Sequence, residues 1–456
     1  MSLSKFESML KTNSVYFFDS VEFEEIIQHY LDNGKHSLAN KAVQLGLEQH
    51  PTSVLLKLLK VELLIFEDKL QKAASLINEI EAVAPNNEEL LIQKAIILSK
   101  KDKHKEAIEI LNQILSTTED PADIWSMLGM EYLYIDDFVN ARLNFANCIA
   151  IDFEDYSSLY NVMYCFDMEN NHEEAIVYLN NFIENNPYCE IAWHQLGRQF
   201  FVLNRFKEAL RAFDYAVLID ESFIGGYLEK AKTLEELERY EEAIQNYLIT
   251  LELDDPTAFV YIRTGECYQK LGDLNTAVKY YKKAVHEDPL LDKAWLLLTE
   301  LYLEEKEFEK AQYYISKALN IDDSNVFYWQ KYATINIQLN FYEEAVKAYY
   351  KSLELEDASL EVFVGLADVL LFIGNFEEAL QIMVKAKNTY REFAEIEYRL
   401  CGLFLLTSDE KNGLIHLKNA LAIDADYRSI MQELYPVVFD NEKVQKIIQH
   451  YLKATE

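Results

Sequence analysis

A single interval of 34 residues organises this 456-residue sequence. Small residues recur at that spacing with no insertion or deletion over twelve copies. The twelve residues are Ala39, Ala73, Ala107, Ala141, Ala175, Ala209, Ala243, Ala277, Ala311, Ala345, Ala379 and Gly413. A strict period of this length is typical of stacked supersecondary units, none of which can bury its apolar face alone. Gly (12) and Pro (7) are scarce, which favours long helices and disfavours an all-β fold.

Large side chains follow the same period. All four tryptophans lie sixteen residues before one of the small residues, and a bulky apolar residue often stands four residues after it. The tryptophans are Trp125, Trp193, Trp295 and Trp329, and the bulky residues are Leu111, Phe145, Phe213, Tyr247, Tyr281 and Tyr349. Small and large residues at fixed separations indicate two closely packed helices in each unit.

Residues 258–291 illustrate the unit. The stretch AFVYIRTGECYQKL has apolar residues at helical spacing, and GDLN then breaks the helix. We expect Gly272 to adopt a left-handed conformation and Asp273 to cap a second helix, which ends before Pro289. Small residues at Gly265 and Ala277 would let the two backbones approach closely.

These positions resemble the tetratricopeptide repeat, whose pattern is W-x2-L-G-x2-Y, then A-x3-F, then P. The best-matching copy contains Trp193, Leu196, Gly197, Phe200, Ala209, Phe213 and Ala216. The resemblance covers residues 20–427 as twelve tandem repeats and implies an all-α fold. It implies an α-solenoid, a right-handed superhelix of stacked antiparallel helix pairs. Residues 1–19 would form an N-terminal segment, and residues 428–456 would form C-terminal capping helices.

The two ends share a short string. IIQHYL occurs at residues 26–31 and again at 447–452, an offset that is not a multiple of 34. Similar end helices would account for it. Head-to-tail association, in which one end substitutes for the other, is the alternative.

Composition limits the partners and the compartment. The net charge of −34 disfavours binding to nucleic acid and to anionic membranes. No run of about 18 apolar residues occurs, and MSLSKFES does not resemble a signal peptide. Five cysteines without a CxxC pair favour a reducing compartment. We therefore expect a cytoplasmic protein, with a monomer favoured.

No catalytic motif is found. HExxH, GxGxxG, GxxxxGK[ST] and GxSxG are all absent from the sequence. His36, His104 and His172 share one position of the repeat, which indicates packing residues at the turn between helices. The sequence therefore predicts no enzyme, no cofactor and no metal site.

The resemblance also indicates where a partner would bind. In similar arrays, positions 2, 5, 9 and 12 of each unit face the concave groove. Counted from residue 156, these positions hold Tyr160, Tyr164, His194, Arg198, Phe201 and Lys232. Aromatic residues beside positive charges suit an interface, although ordinary surface variation and packing of the tyrosines between helices would give the same pattern. Arg263 and Lys293 would extend the cluster.

The predicted function is a non-catalytic interaction scaffold or adaptor that binds peptide segments or a protein in the concave groove. The lysine and asparagine set with which related repeats bind a peptide C-terminus is not present in three successive units, so that mode is not expected. A regulatory subunit of a partner enzyme is an alternative that the sequence does not separate from a scaffold. RNA binding, as in related helical-repeat families, is disfavoured by the negative charge.

Overall fold

The structure is a computed structural model that describes residues 2–12, 16–254, 257–355 and 359–455. All regular structure in these residues is helical, which confirms the all-α prediction. The chain divides into two compact units, Met1–Thr233 and Leu234–Glu456, and α14 (Ile224–Glu236) contains the division.

Helices of two lengths alternate along most of the chain. The earlier helices are α1 (Ser2–Thr12), α2 (Ser20–Asp32), α3 (His36–Gln49), α4 (Val54–Phe66), α5 (Leu70–Glu81), α6 (Glu88–Ser99), α7 (His104–Leu115), α8 (Ala122–Tyr134), α9 (Phe138–Ile151), α10 (Tyr156–Met168), α11 (His172–Asn185), α12 (Glu190–Val202) and α13 (Phe206–Ile219). The even-numbered helices from α2 are the first helices of the 34-residue units, and the odd-numbered helices from α3 are the second.

The second unit continues the same alternation. Its helices after α14 are α15 (Tyr240–Leu253), α16 (Ala258–Lys270), α17 (Leu274–Glu287), α18 (Asp292–Glu304), α19 (Phe308–Ile321), α20 (Val326–Gln338), α21 (Tyr342–Glu354), α22 (Leu360–Phe372), α23 (Phe376–Thr389), α24 (Ala394–Leu406), α25 (Glu410–Ile423), α26 (Ser429–Leu434), α27 (Pro436–Phe439) and α28 (Glu442–Thr455). A short 3-10 helix, Asp426–Arg428, precedes α26.

Each helix packs mainly against its neighbours in the sequence. In the first unit α12 packs against α11 and α13, and in the second unit α24 packs against α23 and α25. Each unit is thus a tandem array of helical hairpins, as the solenoid prediction requires.

The turn inside each hairpin has one residue with positive φ, again every 34 residues. These residues are Gly34, Asp68, Asp102, Asp136, Asn170, Asn204, Glu238, Gly272, Lys306, Asn340, Gly374 and Ser408. The left-handed conformation of Gly272 is confirmed, and the carboxylate of Asp273 accepts the backbone N–H of Thr276 at 3.0 Å as the predicted cap. The turn keeps its geometry even where the residue is not glycine, because the two helices that it joins fix the path of the chain.

A close contact between a glycine and a ring joins the two helices of several hairpins. A Cβ atom added at Gly197 would lie 2.5 Å from the ring of Phe213, and one at Gly265 would lie 2.5 Å from the ring of Tyr281. Phe213 and Tyr281 are fully buried. The prediction that Gly265 lets the backbones approach is therefore confirmed, because the aromatic ring occupies the space that a larger residue would need.

Hydrogen bonds and ring stacking couple successive repeats. The indole nitrogen of Trp193 donates to the backbone oxygen of Pro187 at 2.9 Å, which links α12 to the end of the repeat before it. The His36 ring stacks on Phe66 at 3.9 Å and the His104 ring on Tyr134 at 4.9 Å, in each case across to the next repeat. These histidines are the packing residues that the sequence predicts.

The two IIQHYL strings lie in helices of their own, α2 and α28. Within the first unit, Phe6 of α1 covers α2 and contacts the ring of Tyr30 at 6.3 Å. Ile27 and Ile448, which occupy the same place in the two strings, are both buried within their own units. This burial supports similar end helices and does not test head-to-tail association.

Substituting Gly197 with alanine tests the contact between glycine and ring. We expect Gly197→Ala to lower the free energy of unfolding by about 1–3 kcal/mol, because the new methyl group overlaps the Phe213 ring. The Gly197→Ala, Phe213→Leu double variant should lose less than the sum of the two single losses, since leucine frees the space. Urea denaturation followed by circular dichroism measures all three values, and strictly additive losses would contradict the contact.

A matched pair of substitutions tests the turn. Gly272 has φ +81° and no atom within 4 Å of an added Cβ, so Gly272→Ala should cost about 1 kcal/mol through backbone conformation alone. Lys306 has φ +58° at the equivalent position, and Lys306→Gly should shift stability in the opposite direction. Thermal midpoints that move in the same direction would show that the left-handed residue is unimportant.

Candidate functional site

The six predicted binding residues lie on three first helices, α10, α12 and α14, within the first unit. Tyr160 and Tyr164 on α10 are 42% and 48% exposed. Arg198 on α12 is also exposed. Two phenol rings on α10 and a guanidinium group on the neighbouring α12 are therefore accessible to a partner.

His194 lies beneath this surface and is only 9% exposed. Its ring centroid is 5.7 Å from that of Phe213 and 5.1 Å from that of Phe223. Neither ring nitrogen has a hydrogen-bond partner among the described residues. Burial lowers the pKa of His194 to about 4, so the ring is neutral at pH 7 and keeps one donor and one acceptor nitrogen.

Phe201 and Lys232 are engaged within the protein. Phe201 is half-buried, and its ring meets the edge of the Phe206 ring at 5.3 Å. The Lys232 Nζ atom lies 2.7 Å from Glu229 Oε1, so its charge is partly balanced. Phe201 therefore serves packing, and Lys232 is half of an ion pair.

Electrostatic interactions connect four of the six residues: Tyr160, His194, Arg198 and Lys232. Burial raises the pKa of Tyr160, and the nearby Gln195 amide and Arg198 guanidinium offset part of that increase. The charges of Glu229, Arg198 and Lys232 all act on His194, although burial has the largest effect on its pKa. The structure thus brings residues of three repeats together.

Four side chains occupy position 9 of successive repeats, and we name this set the stripe. The stripe consists of Met130, Tyr164, Arg198 and Lys232, on α8, α10, α12 and α14. Met130 is 37% exposed and was not among the predicted residues. Met130 belongs to the repeat before residue 156, and the 34-residue register extended one repeat earlier identifies it.

Gln195 is a second residue that the sequence did not indicate. Its side chain is wholly buried on α12, close to the phenol of Tyr160. Neither polar atom of its amide meets hydrogen-bond geometry with a partner in the described part of the chain. A polar residue at position 6 gives no signal in the sequence, since its burial follows only from how the helices pack.

Arg198 differs from two other arginines of the first unit. The Arg142 guanidinium lies 2.9 Å from Glu169 and 4.1 Å above the Phe166 ring. Arg205 pairs with Glu208 at 3.1 Å. Within residues 2–12 and 16–233, Arg198 makes no ion pair and no hydrogen bond.

The proposed extension at Arg263 and Lys293 lies in the second unit. Arg263 contacts Glu235 at 2.6 Å and Glu266 at 2.7 Å, and Lys293 lies 3.4 Å from Glu266. These two basic side chains are therefore occupied by carboxylates of their own unit.

A cavity of about 760 Å³ lies elsewhere in the first unit, lined by α3, α4 and α5. Three of its polar side chains pair with one another: Asn40 accepts from Lys60 at 2.9 Å and donates to Glu67 at 2.7 Å. Glu67 also accepts from Lys69 at 2.7 Å, a hydrogen bond that lowers the pKa of Glu67. Because these charged groups are paired with one another, little of their charge remains to attract a ligand.

Two other kinds of site are absent from the described residues. There, His, Cys, Asp and Glu side chains form no group of three able to hold a metal ion. No helix in those same ranges combines the length and apolar character needed to cross a membrane. The five cysteines are buried and unbridged, and burial raises the pKa of Cys165 to about 11.

Models of known protein families match two overlapping segments in the middle of the chain. Two tetratricopeptide repeat family models match, one at residues 228–290 and one at residues 268–333. No curated protein matches the sequence.

Similar solved structures include the C-terminal part of a TPR repeat-containing protein from Cytophaga hutchinsonii. It is 16% identical with a TM-score of 0.44, covering 56% of this chain and 98% of that one. YrrB, described as a TPR protein with an unusual peptide-binding site, is 17% identical with a TM-score of 0.35, covering 40% and 94%. The Cut9–Hcn1 hetero-tetramer of the APC/C is 12% identical with a TM-score of 0.34, covering 99% and 92%.

The residues that the family models match form helical hairpins of the kind described above. Both matched segments consist of hairpins with the 34-residue register, and the positive-φ turns Glu238, Gly272 and Lys306 all fall within them. The same hairpin, with the same turn, recurs before and after the matched residues. Residues 228–333 are thus similar to the tetratricopeptide repeat family, and the hairpins on both sides of them keep the same register.

Proposed function

We propose that this protein is a non-catalytic scaffold that binds an extended segment of a partner protein across the first helices α8, α10, α12 and α14. Tetratricopeptide repeats are protein-interaction units. The observation that carries the proposal is the stripe, where exposed Met130 and Tyr164 share a repeat position with Arg198, which makes no ion pair with the described residues of the first unit.

The chemistry of the stripe suits a protein segment. Aromatic and arginine side chains are enriched among the residues that dominate binding energy at interfaces, and methionine adapts its shape to different partners. Tyr160 widens the apolar surface beside Tyr164. Equivalent side chains on successive repeats can contact successive residues of an extended peptide, which accounts for their position on parallel first helices.

The scaffold is formed before the partner arrives. Fully buried rings such as Phe213, packed against Gly197, hold α12 and α13 together. A rigid surface loses little conformational freedom on binding, so more of the contact energy appears as affinity.

Charge supports a protein partner over a nucleic acid. With 77 acidic and 43 basic residues, the protein repels phosphate backbones, and the basic groups near the stripe are too few to reverse this. A regulatory subunit of a partner enzyme would use the same surface. We include in the proposal the array at residues 20–427, the cap at 428–456, and a cytoplasmic monomer.

A double substitution in the stripe tests the function. Partners recovered by crosslinked affinity capture with the wild-type chain would be identified and purified, and their dissociation constants measured. We expect Tyr164→Ala, Arg198→Ala to weaken binding at least about tenfold, since each central aromatic or arginine contact can contribute more than about 1 kcal/mol.

The matched control removes the same residue types outside the stripe. Tyr188 and Arg211 are both exposed in the first unit, and neither belongs to a first helix. The Tyr188→Ala, Arg211→Ala variant should bind like wild type. Unchanged affinity of the stripe variant for every partner would refute the proposed surface.

A further inference from the structure

We propose that Arg198 binds a side-chain carboxylate, an aspartate or glutamate flanked by apolar residues in an extended partner segment. This inference rests on the proposed function, because it specifies what the segment must carry. It commits to an acidic residue within the segment and not to its terminal carboxylate.

The charge on Arg198 lacks a counter-ion within the first unit. The first unit has three other arginines, of which Arg211 likewise has no carboxylate partner among the described residues. Arg142 and Arg205 of the same unit have such partners at 2.9 and 3.1 Å. The planar guanidinium matches a carboxylate through two parallel hydrogen bonds, so the free group fits an acid better than it fits any neutral side chain.

Buried polar groups on the same helix point independently to a ligand. His194 and Gln195 lie one turn before Arg198 and are 9% and 0% exposed. The ring nitrogens of His194 have no hydrogen-bond partner among the residues that the structure describes, and the Gln195 amide lies near the Tyr160 phenol without meeting hydrogen-bond geometry. Buried polar groups left without partners are costly, and a peptide lying over α12 would offer N–H and C=O groups to such atoms.

The start of α14 leaves room for a peptide backbone. Position 2 of that repeat is Gly225, and a Cβ atom added there would lie 3.8 Å from His194 Nε2 and 3.4 Å from the Phe223 ring. A glycine at such a place permits the close approach of another backbone. The approach would bring that backbone towards the unpaired histidine.

The position of Arg198 within the stripe indicates that the acidic residue lies inside the partner segment and not at its terminus. Tyr164 and Met130 precede it at intervals of 34 residues, and both are exposed. Lys232 follows it at the same interval, with its charge held by Glu229 at 2.7 Å. Because binding surface continues on both sides of Arg198, a segment that reaches Arg198 is expected to continue past it.

Peptide selection tests the inference without knowledge of the natural partner. The full chain is immobilised and used to select from a phage-displayed library of random twelve-residue peptides. We expect wild-type protein to enrich peptides with one Asp or Glu next to apolar residues. Arg198→Gln should lose the enrichment of the acid and keep that of the apolar residues, whereas Arg211→Gln, which removes a charge from α13, should select like wild type.

Synthetic copies of a selected peptide then identify the interacting group. Replacing its Glu with Gln should weaken binding to wild type about tenfold and change binding to Arg198→Gln less than twofold. Amidation of the peptide C-terminus should have no effect. Arg198→Lys should bind with intermediate affinity, because the charge remains but the paired hydrogen bonds are lost.

Three results would overturn the inference. Selected peptides that depend on Tyr164 but contain no acid would remove the role of Arg198 and leave the proposed function intact. If amidation weakens binding and the Glu to Gln change does not, the carboxylate that Arg198 binds is the peptide C-terminus. Peptides whose binding is unaffected by Tyr164→Ala would refute both the inference and the surface on which it rests.

Discussion

The packing of an aromatic ring against a small residue holds several of the hairpins together and determines much else in the structure. Where the first helix has glycine, as at Gly197 and Gly265, the ring of Phe213 or Tyr281 fills the space that a side chain would occupy. The helices can then approach closely over fully buried surface, which contributes stability through both burial and close contact. A larger residue would have to displace the ring or separate the helices.

Repetition of this contact gives the protein its binding surface. When every hairpin has the same separation and the same turn, equivalent positions on successive first helices align. Position 9 then places Met130, Tyr164, Arg198 and Lys232 on successive first helices, although these residues are far apart in the chain. The surface needs no loop to arrange it, and its residues can differ from repeat to repeat, whereas the small residue of the second helix is alanine in eleven of the twelve repeats.

Much of this could be predicted from the sequence because it depends on spacing alone. The 34-residue interval gave the hairpins, and the break at GDLN gave the left-handed turn at Gly272. The same turn at Lys306 could not be predicted from the residue type, since lysine does not favour positive φ; only the register indicates it. The first and second helices around it, and not the turn residue, set that geometry.

The candidate site was predictable in part. Counting along the repeat found Tyr164 and Arg198, which are exposed, but it could not show that His194 lies beneath them. Nor could it show that Arg263 is neutralised by Glu235, because ion pairs between neighbouring repeats depend on side-chain conformations. Spacing identifies which position a residue occupies, whereas its partners follow from the packing around it.

Amide hydrogen exchange of the free protein, followed by mass spectrometry, tests the central claim most directly. If ring and glycine contacts form the scaffold in advance, peptides from α10, α12 and α13 should be strongly protected without any partner, and those from the turns should exchange first. Rapid exchange throughout α10 and α12 in the free protein would contradict the account, since the stripe would then form only on binding.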